Sequence, residues 1–196
     1  MSPTPLPEPL RAALRNAPLL EPPLLNSERI RERFGSYGIE ILLDRDDLRR
    51  ANLYSGNGAE KICRTFALVR TLDAAPAISD EHTAISAGRS IGATFRDGGW
   101  TVAKKTGLTG SVDLSDVDPD VARLMRLDVP KRIALHAYEL IVEQADFAIT
   151  YARILELHHP DYLEGDEVAS LFPSPADSTI NPDTVTELLR HFEVSP

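Results

Sequence analysis

Residues 132–159, RIALHAYELIVEQADFAITYARILELHH, decide the architecture. From Arg132 to Val142 the side chains alternate as along a strand, and from Phe147 to His159 they alternate again. The four residues between, Glu143-Gln144-Ala145-Asp146, are too few for a crossover, so the two strands form an antiparallel hairpin. On the second strand Glu156 shares its face with Ala152 and Ile154, which aims a carboxyl group at hydrocarbon.

The strand-like run at residues 60–73, EKICRTFALVRTLD, mirrors this with opposite sign. Strict alternation places Arg64 with Ile62, Phe66 and Leu68, and Cys63 on the other side beside Thr65 and Ala67. Buried Arg and Glu often simply pair with each other; an inward Arg and an inward Glu are also what a pocket for an anionic ligand requires. Two further strands precede this one, Ile39 to Leu43 and Arg49 to Tyr54, with Gly56-Asn57-Gly58 as a turn. The charged DRDDLRR between them reads as a water-facing edge. Ser27 caps a short helix that runs through Phe34 and stops at Gly35.

Beyond Asp73, the segment TAISAGRSIGATF carries Gly88 and Gly92, where the backbone can come close to another element or a ligand. It is not a phosphate-binding loop, because no Lys-Ser/Thr pair follows. A strand is predicted at Trp100 to Lys105, a polar loop from Thr106 to Ser115, and a short helix opening at Asp118-Pro119 and ending before Pro130. The strands lie too close in sequence for βαβ crossovers. The fold class is therefore α+β, a mainly antiparallel sheet with a few helices on one side.

The 196 residues suffice for one domain with a substantial core. Residues 27–163 form that core. Residues 1–26 are proline-rich and predicted to lie along the surface, with one short helix around Leu10 to Asn16. Residues 164–196 are an extension that ends in a helix from Asn181 to Phe192. A net charge of −9 argues against nucleic acid. No apolar run approaches the roughly 18 residues of a membrane span, and the N-terminus lacks an export pattern, so a cytoplasmic location is expected. A single cysteine, Cys63, excludes an internal disulfide and a multi-cysteine zinc site.

Histidines supply the competing chemistry. His158 and His159 are adjacent and point to opposite faces, but His158 shares the Glu156 face and His136 lies on the facing strand. The set His136, Glu156 and His158 is thus an alternative metal site, although HHPDY reads equally well as a strand exit ended by Pro160. No metal is expected. Without a GxSxG elbow a hydrolase triad has no support. His82 and His191 are expected to be solvated or capping.

The order of parts resembles the chorismate lyase family, and its relatives among effector-binding domains of bacterial transcription regulators, over residues 18–163. In that family a helix ending in an RF pair and a strand precede a strand with a central Arg; SERIRERFGSYGIEILL and ICRTFALV are similar to these. SIGATF at Ser90 to Phe95 resembles a PLGxxLF segment, and LELHHP at Leu155 to Pro160 resembles a closing TELFLP sequence. The chain departs from the pattern where IALHAYEL replaces a WGRRS-like sequence, where His158 replaces the motif's phenylalanine, and in a longer insertion before the hairpin.

The resemblance implies that Arg64 holds a substrate carboxylate, that Glu156 is the catalytic acid or base, and that a backbone N–H at Ile91-Gly92 contacts the ligand, with His158 beside it. The implied reaction is cofactor-free elimination of pyruvate from chorismate, or from a related acid, to give a hydroxybenzoate. A raised Glu156 pKa in an apolar pocket would favour proton transfer there. The alternative is a non-enzymatic protein that binds an aromatic or sugar-like carboxylate in the same fold. In both cases the partner is a small carboxylate, and a dimer has no sequence support.

Overall fold

The computed structural model describes residues 5–72, 74–117, 119–128, 131–174 and 182–192. In chain order the elements are α1 (Glu8–Asn16), β1 (Leu19–Leu20), α2 (Asn26–Phe34), β2 (Gly38–Arg45), β3 (Leu48–Ser55), β4 (Ile62–Thr71), α3 (Ser79–Ser86), α4 (Ile91–Asp97), β5 (Thr101–Asp113), α5 (Pro119–Met125), β6 (Arg132–Gln144), β7 (Phe147–His158), α6 (Gly165–Leu171) and α7 (Pro182–Phe192). The strands form one antiparallel sheet in the order β1-β5-β6-β7-β4-β3-β2. The hairpin read from residues 132–159 is β6–β7, and it occupies the middle of the sheet. Asp73, Asp118, Pro130, Asn181 and residues 175–178 of PSPADS lie outside the described residues.

Helices cover both faces, not one. The strands are apolar on both sides, as the buried run Phe66-Ala67-Leu68-Val69 in β4 already shows, and each side needs a cover. On one face Phe66, Leu68, Leu135, Leu155 and Leu157 pack with α1, α5 and α7 through Leu10, Leu14, Val121, Met125 and Leu188. The proline-rich start is therefore part of the core, because Leu10 and Leu14 recur one helical turn apart and are buried. Gly107 lets α1 approach β5 closely, since an added Cβ would run into Leu10 and Leu14. On the other face Ala51, Ala67 and Ala134 meet α2 and α6 through Ile30 and Val168.

The polar stretch predicted as a loop at Thr106 to Ser115 is strand β5 as far as Asp113. It pairs with β6 along its length, with a bulge at Gly107, and its threonines Thr106 and Thr109 are buried rather than solvated. Helix α2 starts two residues earlier than predicted, with Leu25 and not Ser27 at the cap: the Leu25 N–H donates to Glu28 Oε2 at 2.7 Å, and Gly35 ends the helix at φ 74° as expected. The glycine segment forms α3 and α4, joined through Gly88 at φ 101°. Among the described residues no helix is long and apolar enough to cross a membrane.

Candidate functional site

Glu156 lies near the end of central strand β7, opposite Ala67 on β4 and His136 on β6. The row continues from Ala67 through Ala51 to Ile41. Two alanines in succession leave a hollow above the sheet, and α2 and the start of α4 roof it without filling it. The resulting cavity measures about 80 Å³. Its walls are largely hydrocarbon, from Leu25, Ile39, Leu53, Val69 and Ile154, and Glu156, Lys104 and Arg49 are the charged side chains in them. Ser90, Ile91 and Gly92 complete the roof.

Glu156 is 5% exposed, and one of its two oxygens is hydrogen-bonded. Oε1 accepts a 3.0 Å hydrogen bond from Asn26 Nδ2, and Asn26 is held by the Tyr162 hydroxyl, which donates to its Oδ1. Oε2 faces three nitrogens: Lys104 Nζ at 3.6 Å, His136 Nδ1 at 3.8 Å and His158 Nε2 at 3.8 Å. Lys104 is also 4.0 Å from the Tyr138 ring centroid and 4.7 Å from that of Phe172, so two aromatic faces hold its ammonium. On the far sides of the imidazoles, His136 Nε2 bonds Thr106 Oγ1 at 3.1 Å and His158 Nδ1 bonds Thr65 Oγ1 at 3.0 Å.

Burial on its own would raise the Glu156 carboxyl, but the Lys104 ammonium outweighs it and holds the group well below the usual carboxylate range. The raised pKa expected from an apolar pocket is therefore not found, because the cation beside it was not foreseen. Glu156 is a standing carboxylate at neutral pH, unprotonated but weakly basic while Lys104 stays beside it. Desolvation pushes His136 down to about 3 and His158 to about 4, so both imidazoles are neutral at pH 7.

These shifts set the acid response. The unfolded chain binds protons at His136 and His158 from about pH 6.5 downward, while the folded chain refuses them until about pH 4 and 3. Stability conferred by neutral, buried imidazoles is thus complete above pH 6.5 and is lost as pH falls through that window. Urea midpoints are expected to drop steadily from pH 7 to pH 4, well before ordinary carboxylates titrate, and His136→Asn should flatten the slope.

The sequence-predicted residues divide. Glu156, Ile91 and Gly92 line the cavity; Arg64 does not. The β3–β4 register passes from Leu53↔Thr65 to Tyr54↔Cys63, so Arg64 is the extra residue of a bulge and the alternation that located it breaks there. Its Nε donates to Ser55 Oγ at 2.8 Å, its guanidinium lies 3.8 Å from the Phe34 ring centroid, and Asp161 is 4.0 Å away. Cys63, for the same reason, packs with Phe66 and Leu68 instead of opposite them. His158 flanks Glu156 but is not among the residues lining the cavity.

The arginine that does reach the cavity is Arg49. Its Nε donates to Asp44 at 3.0 Å, and its guanidinium also donates to the Ile85 carbonyl. Arg49, Ala51 and Leu53 alternate on one side of β3, so the signal was present in LRRANL, hidden by the charges on either side. Lys104 likewise alternates with Val102. His82, rather than being solvated, bonds the Tyr151 hydroxyl at 3.0 Å, and His191 is buried. No protein-family model matches the chain, and no curated protein matches it.

Proposed function

We propose that this is a cytoplasmic, chorismate lyase-like protein that eliminates pyruvate from chorismate, or from a closely related acid, without a cofactor. One observation carries the reading: an ionised carboxylate, Glu156, stands in the wall of a sheltered hydrocarbon cavity whose other charged side chains are cations. Arg49 and Lys104 are the groups to attract a substrate carboxylate, in place of Arg64. Glu156 would take the proton from the ring carbon that bears the hydroxyl. The electron pair then forms the last ring double bond as the neighbouring C–O bond breaks, releasing enolpyruvate, which tautomerises to pyruvate. Aromatisation makes this step strongly downhill, so positioning and one base suffice.

A second reading, a binding protein without turnover, is favoured by size. A cavity of about 80 Å³ lies below the roughly 300–1,000 Å³ of ordinary ligand pockets, so chorismate enters only if the roof of Leu25 and Ile91-Gly92 moves aside.

Incubation with chorismate, followed by chromatography for 4-hydroxybenzoate, separates the two. Product formation supports the lyase; saturable binding of 4-hydroxybenzoate without product supports the binding protein; neither result refutes both. If turnover is found, Arg64→Gln is expected to leave KM within about twofold, whereas Arg49→Gln raises it tenfold or more, on the scale of a lost charge-assisted hydrogen bond.

A further inference from the structure

His136, Glu156 and His158 are, among the described residues, the one group of three such side chains whose ligand atoms lie within 4.8 Å of one another. They come from two neighbouring strands, with His136 paired to Glu156 across the β6–β7 ladder and His158 two residues along β7 on the same face. All three are buried.

Two details set this cluster apart from a chance meeting of polar residues. First, His136 Nδ1 and His158 Nε2, the nitrogens that face Glu156 Oε2, are buried and have no hydrogen-bond partner. At 3.8 Å neither reaches the carboxylate. Buried polar atoms are nearly always satisfied, and two orphans aimed at one point mark a place for something to sit. Second, the opposite nitrogen of each ring bonds a buried threonine hydroxyl, Thr106 for one and Thr65 for the other. A hydroxyl can accept the ring N–H, leaving the inward nitrogen with a free lone pair. That is the outer support that metal-binding imidazoles use.

We infer that His136 Nδ1, His158 Nε2 and Glu156 Oε2 form a binding site for one divalent transition cation of the Zn²⁺ class. Two imidazoles and a carboxylate suit Zn²⁺, Co²⁺, Fe²⁺ or Ni²⁺ and not Mg²⁺ or Ca²⁺, which prefer oxygen. Both nitrogens stand 3.8 Å from Glu156 Oε2, farther than two ligands bonded to one ion at about 2.0–2.1 Å, so the cluster contracts as the ion enters. Lys104 opposes it, since its ammonium is 3.6 Å from the same oxygen. The faces of Tyr138 and Phe172 give that ammonium somewhere to remain when the carboxylate turns to the ion. The inference shares Glu156 with the proposed elimination, where an ion would occupy the base, and it is tested by binding alone, so its failure and the failure of that reading are told apart.

The test is titration of the metal-stripped full chain with Zn²⁺ by calorimetry and with Co²⁺ by visible absorption, with chorismate absent. The expected result is one ion per chain, together with the d–d bands of a Co²⁺ site containing nitrogen ligands. Affinity should fall at least tenfold in His158→Gln and in His136→Asn, and rise in Lys104→Met, where the competing charge is gone. His191→Asn, a buried histidine elsewhere, is the control and should bind as the parent does. Should a variant fail to fold, the parent still decides, because stoichiometric Zn²⁺ should raise its own melting temperature and a chelator should reverse the rise. The proposal is overturned if the folded parent takes up no stoichiometric ion, if binding survives unchanged in both histidine variants, or if Lys104→Met gains nothing.

Discussion

Lys104→Met is expected to lower the free energy of unfolding at pH 7 by about 3–5 kcal/mol, the usual cost of leaving a buried charge without its partner. Methionine fits between Tyr138 and Phe172, so lost packing contributes little. What remains is the Glu156 carboxylate, 5% exposed, with Asn26 as its donor and no cation against it. The carboxyl pKa should then climb towards the range burial alone dictates, and the variant should lose less stability at low pH than at neutral pH. Glu156→Gln by itself should cost about 1–3 kcal/mol, because glutamine can still accept from Asn26. The double variant Lys104→Met/Glu156→Gln should recover most of what Lys104→Met loses. Urea unfolding of the four proteins closes the cycle, and strict additivity would mean that the ammonium and the carboxylate do not depend on each other.

The second large effect concerns turnover. If the lyase reading holds, Glu156→Gln removes the base while keeping shape and the Asn26 hydrogen bond, and kcat should fall by about 10²–10⁴, the range for a single positioned acid or base. KM should change little, because Arg49 and Lys104 carry the attraction for the substrate carboxylate. A Gln variant that turned over chorismate at the parental rate would remove Glu156 from the mechanism.

The antiparallel sheet was readable because period-two patterning and short polar connections say the same thing in β2, β3, β4, β6 and β7. Helix α2 was readable from its stop at Gly35, and Glu156 from its position among Ala152 and Ile154. Three things were not. Strand β5 beyond Lys105 looked like loop because its polar residues Thr106 and Thr109 are turned inward, Thr106 onto His136, which no local pattern reveals. The layer formed by α1 was missed because proline-rich sequence suggests exposure, yet Gly107, far along the chain on β5, leaves the room that receives it. Arg64 was chosen over Arg49 because a bulge is invisible to strict alternation: one extra residue redirects the side chain, while Arg49 was hidden in a charged run. The His136, Glu156, His158 cluster was visible as a possibility from strand facing alone, but not Lys104, whose partner across the sheet depends on the β5–β6 register.

The displaced Cys63 has a practical consequence. It is the chain's only cysteine, has no exposed surface, and burial pushes its thiol above the ordinary range. A thiol-specific dye therefore reacts only with molecules whose interior has come apart, so its labelling rate is a native clock for breathing of the layer beneath α1 and α5, readable without an added probe.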